Sequence, residues 1–424
     1  MTDASRSRRF HPASLDAVNF LLADVRGALG PFLNVFLVTQ QGWSQSAVGV
    51  MTMVSGLVGL MAQTPAGAAI DATTAKRAVM VATLVVLAAG TGVIYAWPDF
   101  WPVLVANSVL AAVGDVLGPA VAALTLGLFA RQQLAARMGR NAAWDHAGNV
   151  FIALVAGAVG RVFDQRSVFL LGPAFAILAI VAVLSIPGPA IDHQRAKGAD
   201  GHEAGDGPPA WRTPAWRTPA WRTVVGCRPL MVFSFCALLF HFANAPLLPL
   251  VGQKLAAANP AWATALMSAC IIAAQLVMLP VALFSGWRAD RWGRKPLLLV
   301  GFAILPIRAV LYTLSDDSAW LVAVQLLDGV GAGIHGALTP LVAADLMRGT
   351  GRYNLALGVI ATVQGVGAAV SGLAAGVLID HFGYRLTFLA LGAAAAVALA
   401  TLAATFPETA SGPETASGKN GCAA

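Results

Sequence analysis

Charged residues are scarce in this chain of 424 residues. They make up 11% of it, against about 25% in a soluble domain, which excludes a single large soluble core. Cysteine is scarcer still. Cys227, Cys236, Cys270 and Cys422 show no metal-ligand spacing, and three stand alone in or beside apolar runs; free thiols without a disulfide framework are expected. No glycine-rich loop ends in Lys-Ser or Lys-Thr, so this chain has no ATP-driven motor of its own, and no cofactor is implied. No His-x-x-x-His pair or acidic His-rich tract is present, which disfavours a metal site through His146, His241 and His335. The first apolar segment has no small-residue cleavage site behind a short apolar core, so it is expected to be retained.

Apolar sequence is abundant. The chain is 58% hydrophobic, its mean hydropathy is +0.72, and its 43 glycines suit helices that pack closely in lipid. A spanning helix needs about 20 largely apolar residues. Twelve such segments are expected, near 15–38, 46–68, 78–97, 100–129, 141–161, 166–187, 229–252, 262–286, 295–314, 319–346, 354–379 and 384–406. Breakers mark the joints: Gly42, Pro98, Pro187-Gly188-Pro189, Pro260 and Gly383. Of the 27 Lys and Arg, 21 fall on the side that holds the N-terminus, four on the other, and Arg26 and Arg308 within segments. This split places both termini in the cytoplasm of a multi-pass inner-membrane protein. It also accounts for the net charge of +7 without a nucleic-acid partner.

The resulting division is a tail (1–14), a six-helix bundle (15–187), a cytoplasmic linker (188–228), a second six-helix bundle (229–406) and a disordered tail (407–424). The linker repeats Trp211-Arg212-Thr213-Pro214-Ala215 at 216–220 and begins it again at Trp221. A Trp-Arg repeat can bind anionic lipid or nucleic acid, but a short duplication in a tolerant linker explains it more simply. The tail repeats Pro-Glu-Thr-Ala-Ser-Gly at 407–412 and 413–418.

The two bundles align internally. Gly67, Asp71, Lys76, Gly148 and Gly157 match Gly286, Asp290, Lys295, Gly367 and Gly376 at a constant offset of 219. Parallel repeats of this kind place a substrate site at the repeat interface near the midplane. The stretch Gly286-Trp-Arg-Ala-Asp290-Arg291-Trp-Gly293-Arg294-Lys295 resembles the Gly-x-x-x-Asp-Arg-x-Gly-Arg-Arg/Lys motif of the major facilitator superfamily. The resemblance implies an all-α membrane protein with twelve transmembrane helices in two pseudo-symmetric bundles. It further implies a cytoplasmic gate in which Asp290 caps a neighbouring helix and Arg291 pairs with Asp345, with Gly286, Gly293 and Arg294 completing the motif. The first-bundle copy keeps Asp71 but carries Ala72 in place of the arginine. The position matching Asp345 falls at Leu124 or Thr125, so the gate is expected to be held mainly by the second bundle.

Ionisable groups within membrane segments are costly and are functional candidates. Asp24 and Arg26 point about 200° apart on one helix and cannot easily pair with each other. Asp115 lies mid-segment between Gly114 and Gly118. His146 and Asn149, like His241 and Asn244, are spaced i, i+3, and Asp328 and His335 share a stripe. Arg308 is expected near the outer end of its segment, where it can snorkel. The resemblance implies that segments 1, 4, 7 and 10 line the cavity, which favours Asp24, Arg26, Asp115, His241, Asn244, Asp328 and His335. Asp24 or Asp115 is the expected protonation site. Arg26 is its counter-ion, its structural partner at Asp115, or a contact for an anionic substrate.

The helix-5 glycine motif of proton antiporters in that superfamily is matched only by Gly148-x8-Gly157; Gly160 falls one place early. The expected function is a monomeric, proton-coupled secondary transporter of a small solute, leaning to efflux. Proton-coupled uptake of a small organic anion is the alternative, and a non-transporting membrane receptor is less favoured. No enzyme motif is present.

Overall fold

The computed structural model describes residues 11–23, 30–130, 133–192, 224–348, 350 and 352–410. Among these residues the regular structure is helical, without a strand. Backbone polar groups in lipid have no water to bond, so each segment must satisfy them internally.

The first compact unit comprises Met1–Gln41, Val54–Asp206 and Ala261–Ser268. It contains α1 (Pro12–Ala23), α2 (Gly30–Thr39), most of α3 (Gln45–Ala72), α4 (Lys76–Ala96), α5 (Phe100–Gly114), α6 (Leu117–Leu128), α7 (Leu134–Val162) and α8 (Leu171–Ser185). Its core is built from Leu15, Val18, Leu22, Met80, Leu84, Leu117, Leu124 and Val183. The second unit comprises Gly42–Met53, Gly207–Pro260 and Ala269–Ala424. It holds α9 (Arg228–Asn244), α10 (Leu247–Ala258), most of α11 (Ala263–Trp292), α12 (Arg294–Leu311), α13 (Ser318–Val324), α14 (Leu326–Leu346) and α15 (Tyr353–Thr405).

Nine of the described helical stretches are long and apolar enough to cross a membrane, against the twelve expected. The difference has local causes. Helix α15 is 53 residues long and holds two expected segments, joined by the bend at Gly383, whose φ of 73° is open to glycine. Helix α12 carries three charges, and α1 and α2 flank residues 24–29, which lie outside the described set.

Segments 4, 7 and 10 are not continuous helices. Segment 4 breaks at Asp115-Val116, where Val116 N bonds Val113 O in a tightened turn. Segment 7 breaks at Ala245-Pro246, where proline lacks the N–H that would continue the ladder. Segment 10 breaks at Gln325. Each break falls within a few residues of a polar side chain singled out in the sequence.

Glycine sets the closest helix contacts, and the internal repeat is preserved there. A Cβ on Gly148 would strike Phe20 O of α1; a Cβ on Gly367 would strike Leu238 O of α9. A Cβ on Gly157 or Gly160 would likewise strike Ser268 or Thr264. The α7 glycines thus serve close packing. Arginines close helix ends: Arg77 donates to Val183 O and Leu184 O, and Arg166 to Tyr95 O and Ala96 O. In the second unit Asp380 accepts from Gln45 N (3.1 Å) and Ser46 N (2.8 Å), capping the start of α3.

One expectation changes. Cys227 is disulfide-bonded, whereas Cys236 and Cys270 are free; Cys422 lies outside the described residues. Phe406, at the end of α15, is buried against Phe233, and the tail that follows is described as far as Ala410. The Trp-Arg repeat lies outside the described residues.

Gly367→Ala is expected to destabilise by about 1–3 kcal/mol through overpacking, read as a lower melting temperature in detergent. Gly92→Ala, whose Cβ meets nothing, is expected to leave it unchanged or raise it.

Candidate functional site

Each unit carries its own set of polar side chains in an apolar interior. In the second unit the centre is Arg308 on α12, with its side chain only 2% exposed. It does not snorkel. Gly301 brings α12 against Ile334 of α14, and Ala309 packs at Gly392 of α15, so the side chain turns inward. Its Nη1 donates to Asp328 and, at 2.9 Å, to Asn244 Oδ1; its Nε donates to Tyr312 Oη at 3.1 Å. Asn244 is the last residue of α9, just before the break in segment 7. Asp328 is in the first turn of α14, just after the break in segment 10. One guanidinium therefore ties two helix interruptions together. Its Nη2 is buried and has no hydrogen-bond partner among the described residues. The carboxylate also benefits from its place at a helix N-terminus.

Asp328 and His335 share a helix but not a site. His335 is buried between the rings of Phe240 (4.7 Å, 11° between planes) and Phe233 (6.2 Å, 15°). Gln364 Nε2 donates to His335 Nε2 at 2.9 Å. His241 lies 5.1 Å from His335, centroid to centroid, with Nδ1 3.0 Å from Ala237 O. These contacts make the two histidines part of a packed aromatic core. No group of three or more metal-ligating side chains is found among the described residues.

At the motif end of the second unit, the ion pair expected of Arg291 belongs to Arg294. Arg294 Nε donates to Asp345 Oδ2 at 3.0 Å, and Nη1 to Asp290 Oδ1 at 2.7 Å. Arg291 is exposed and forms no ion pair among the described residues. Helix geometry decides this. Arg294 lies one turn beyond Asp290, at i, i+4, where side chains meet. Asp290 therefore binds this arginine in place of a neighbouring helix end. The start of α12 is capped from the tail: Glu408 accepts from Arg294 N (2.8 Å) and Lys295 N (3.0 Å). Gly293, at φ 87°, leaves room for that carboxylate, because a Cβ there would lie 2.5 Å from Glu408 Oε2. Gly286 has open space around it.

The first unit solves the matching problem with other residues. Asp16 of α1, with its side chain 6% exposed, forms ion pairs with Arg137 (2.7 Å) and Arg140 (2.6 Å) of α7. Arg137 Nε also donates to Asn141 Oδ1, and Asn141 Nδ2 to Thr125 Oγ1. Thr125 is one of the positions where the repeat lost its acid. Arg137 and Arg140 are two of the 21 cations on the N-terminal side, and nothing local in the sequence ties them to Asp16. The signal available was an acid one turn into the apolar helix α1. Asp71 lies at the end of α3, and its side chain is outside the described set. Asp115 stands at the break between α5 and α6, half-buried, its side chain without an ion pair or hydrogen bond among the described residues. Asn149 Nδ2 donates to Asp145 O (3.0 Å) within α7; His146 is one turn before it. Asp24 and Arg26 lie outside the described residues.

Replacing Arg308 by Met strands Asp328 and is expected to cost about 3–5 kcal/mol, with most of it restored in the double variant Arg308→Met/Asp328→Leu. Unfolding in detergent checks this. In double-mutant cycles with Asp345→Asn, Arg294→Gln is expected to couple by roughly 0.5–3 kcal/mol and Arg291→Gln by about zero.

Comparison with known proteins gives a family. The sequence pattern of the Major Facilitator Superfamily matches residues 15–305 and 230–421. An uncharacterized MFS-type transporter of Mycobacterium tuberculosis is 45% identical over 396 residues, 93% of each chain. The tetracenomycin C resistance and export protein of Streptomyces glaucescens is 32% identical over 130 residues, 29% of this chain and 23% of that one. The crystal structure of the nucleoside transporter NupG has the same fold at a TM-score of 0.75 and 12% identity, over 93% of this chain and 98% of that one. The chain is a multi-pass membrane protein that belongs to the major facilitator superfamily of transporters.

Proposed function

We propose that this transporter is a proton-coupled exporter of a small organic solute, working by alternating access with no chemical step on its cargo. The observation that carries the reading is the pair of carboxylates at helix interruptions. Asp328 is neutralised by Arg308, whereas the Asp115 side chain has no ion pair or hydrogen bond among the described residues. A carboxylate inside a membrane segment is a functional candidate, and Asp115 has no cation beside it among the described residues. Asp115 is thus the proton-carrying candidate, and Asp328 with Arg308 and Asn244 forms a fixed polar anchor. Asp24 and Arg26 belong to the same reading by their place in segment 1.

Export is favoured by the partial relative whose name records resistance and export. The α7 glycines do not add to it, since their contacts are those of close packing. At the end of the second unit that the charge bias places in the cytoplasm, Arg294, Asp290 and Asp345 are the proposed gate, with Glu408 holding the turn that presents Arg294. Asp16, Arg137 and Arg140 act as its counterpart in the first unit.

Reconstituted into proteoliposomes with an imposed pH gradient, the protein is expected to dissipate that gradient when a transported solute is added. Tetracenomycin C is a reasonable first probe, followed by a broad solute panel. Asp115→Asn is expected to abolish coupled proton movement while solute binding persists, and Asp24→Asn tests the second carboxylate. Solute movement with no proton flux in the unmodified protein would overturn the coupling. No movement of any solute would favour a receptor.

A further inference from the structure

The motif arginine that the gate does not use lies one helical turn from a second arginine held in an aromatic box. On the last turns of α11 the Arg288 guanidinium carbon lies 4.1 Å from the Trp287 ring centroid, 5.2 Å from that of Trp292 and 5.8 Å from that of Phe284. The rings also brace one another: Phe284 meets Trp292 edge-on at 5.5 Å and Trp287 at 6.4 Å. Arg288 forms no ion pair among the described residues, and its Nε is buried without a hydrogen-bond partner. The adjacent acid, Asp290, is engaged by Arg294. Arg291, at i, i+3 from Arg288, is exposed and likewise without an ion pair among the described residues. Beside this pair of cations lies an exposed apolar surface, with Leu283 68% and Trp287 64% exposed.

We propose that this corner of α11 is a docking site for the phosphate of an anionic phospholipid. An interfacial belt of tryptophans needs no guanidinium at its centre. A structural arginine buried against rings would be expected to satisfy its N–H groups within the protein. Here the rings hold the Arg288 guanidinium by cation–π contact and leave its terminal N–H groups for an acceptor that the described residues do not supply. Bidentate donation to a phosphate suits those groups. Arg291 supplies the second positive charge, and the exposed Leu283 and Trp287 supply a bed for acyl chains. By the charge bias of the loops this end of the span faces the cytoplasm, whose leaflet carries anionic lipid. The inference depends on membrane embedding and not on the transport reading.

The test is lipid-dependent thermal stability of the full chain in detergent micelles doped with phosphatidylglycerol, with phosphatidylcholine, or with inorganic phosphate alone. Phosphatidylglycerol is expected to raise the melting temperature and the other two to leave it unchanged. Arg288→Gln/Arg291→Gln is expected to lose at least half of the phosphatidylglycerol shift while melting normally in phosphatidylcholine. Arg288→Lys, which keeps charge but loses the flat stacking group, is expected to fall between. Native mass spectrometry should count fewer retained phosphatidylglycerol molecules on the double variant. Equal stabilisation by both lipids, a full shift with inorganic phosphate alone, or an undiminished shift in the double variant would overturn the proposal. Should the double variant fail to fold, Arg291→Gln alone, at an exposed position, carries the same comparison.

Discussion

A charge enclosed in a lipid-embedded bundle must find its opposite within the protein, because the surroundings offer neither water nor counter-ion. The second unit is organised around that demand. Arg308 is buried on a helix enclosed by α14 and α15, and it is met by Asp328, Asn244 and Tyr312. Two of these partners stand at places where helices stop and restart. A break frees backbone groups and fixes the direction of the next half-helix. Placing a charged cluster across two breaks holds both half-helices to one point.

The same demand is met twice more near the ends of the units, with different residues. The second unit uses Arg294 between Asp290 and Asp345, with Glu408 capping α12. The first has lost the corresponding arginine and acid and instead encloses Asp16 with Arg137 and Arg140. The internal repeat is therefore better preserved in its glycine contacts than in its ion pairs. Close approach of two backbones admits only glycine, whereas a buried charge accepts any partner that reaches it. Gly148 at Phe20 and Gly367 at Leu238 show the former.

Several features were legible before any coordinates. Hydropathy and glycine content pointed to packed membrane helices, the motif around Asp290 pointed to a superfamily, and Asp115, Asn244 and Asp328 were singled out as polar residues inside apolar segments. Other features were not. Arg291 and Arg294 are chemically identical candidates for Asp345, and only the helix start at Arg294 and the capping carboxylate of Glu408 choose between them. Asp16 and Arg140 are 124 residues apart, so no local pattern joins them. Glu408 sat in a repetitive tail that looks polar and unstructured, yet its carboxylate accepts two amides at a helix start.

Apolar run length and local motifs are set by residues near one another in the chain, and they suffice to mark a helical membrane protein of the major facilitator superfamily. The packing of the helices sets the rest: that Arg308 turns inward, that His335 is stacked between Phe233 and Phe240, that Arg294 takes the motif ion pair, that Arg288 is held against three aromatic rings, and that Arg291 is exposed. Each depends on which helices approach and at what rotation. In a medium without water that rotation settles whether a charge is neutralised inside the protein or presented at its surface.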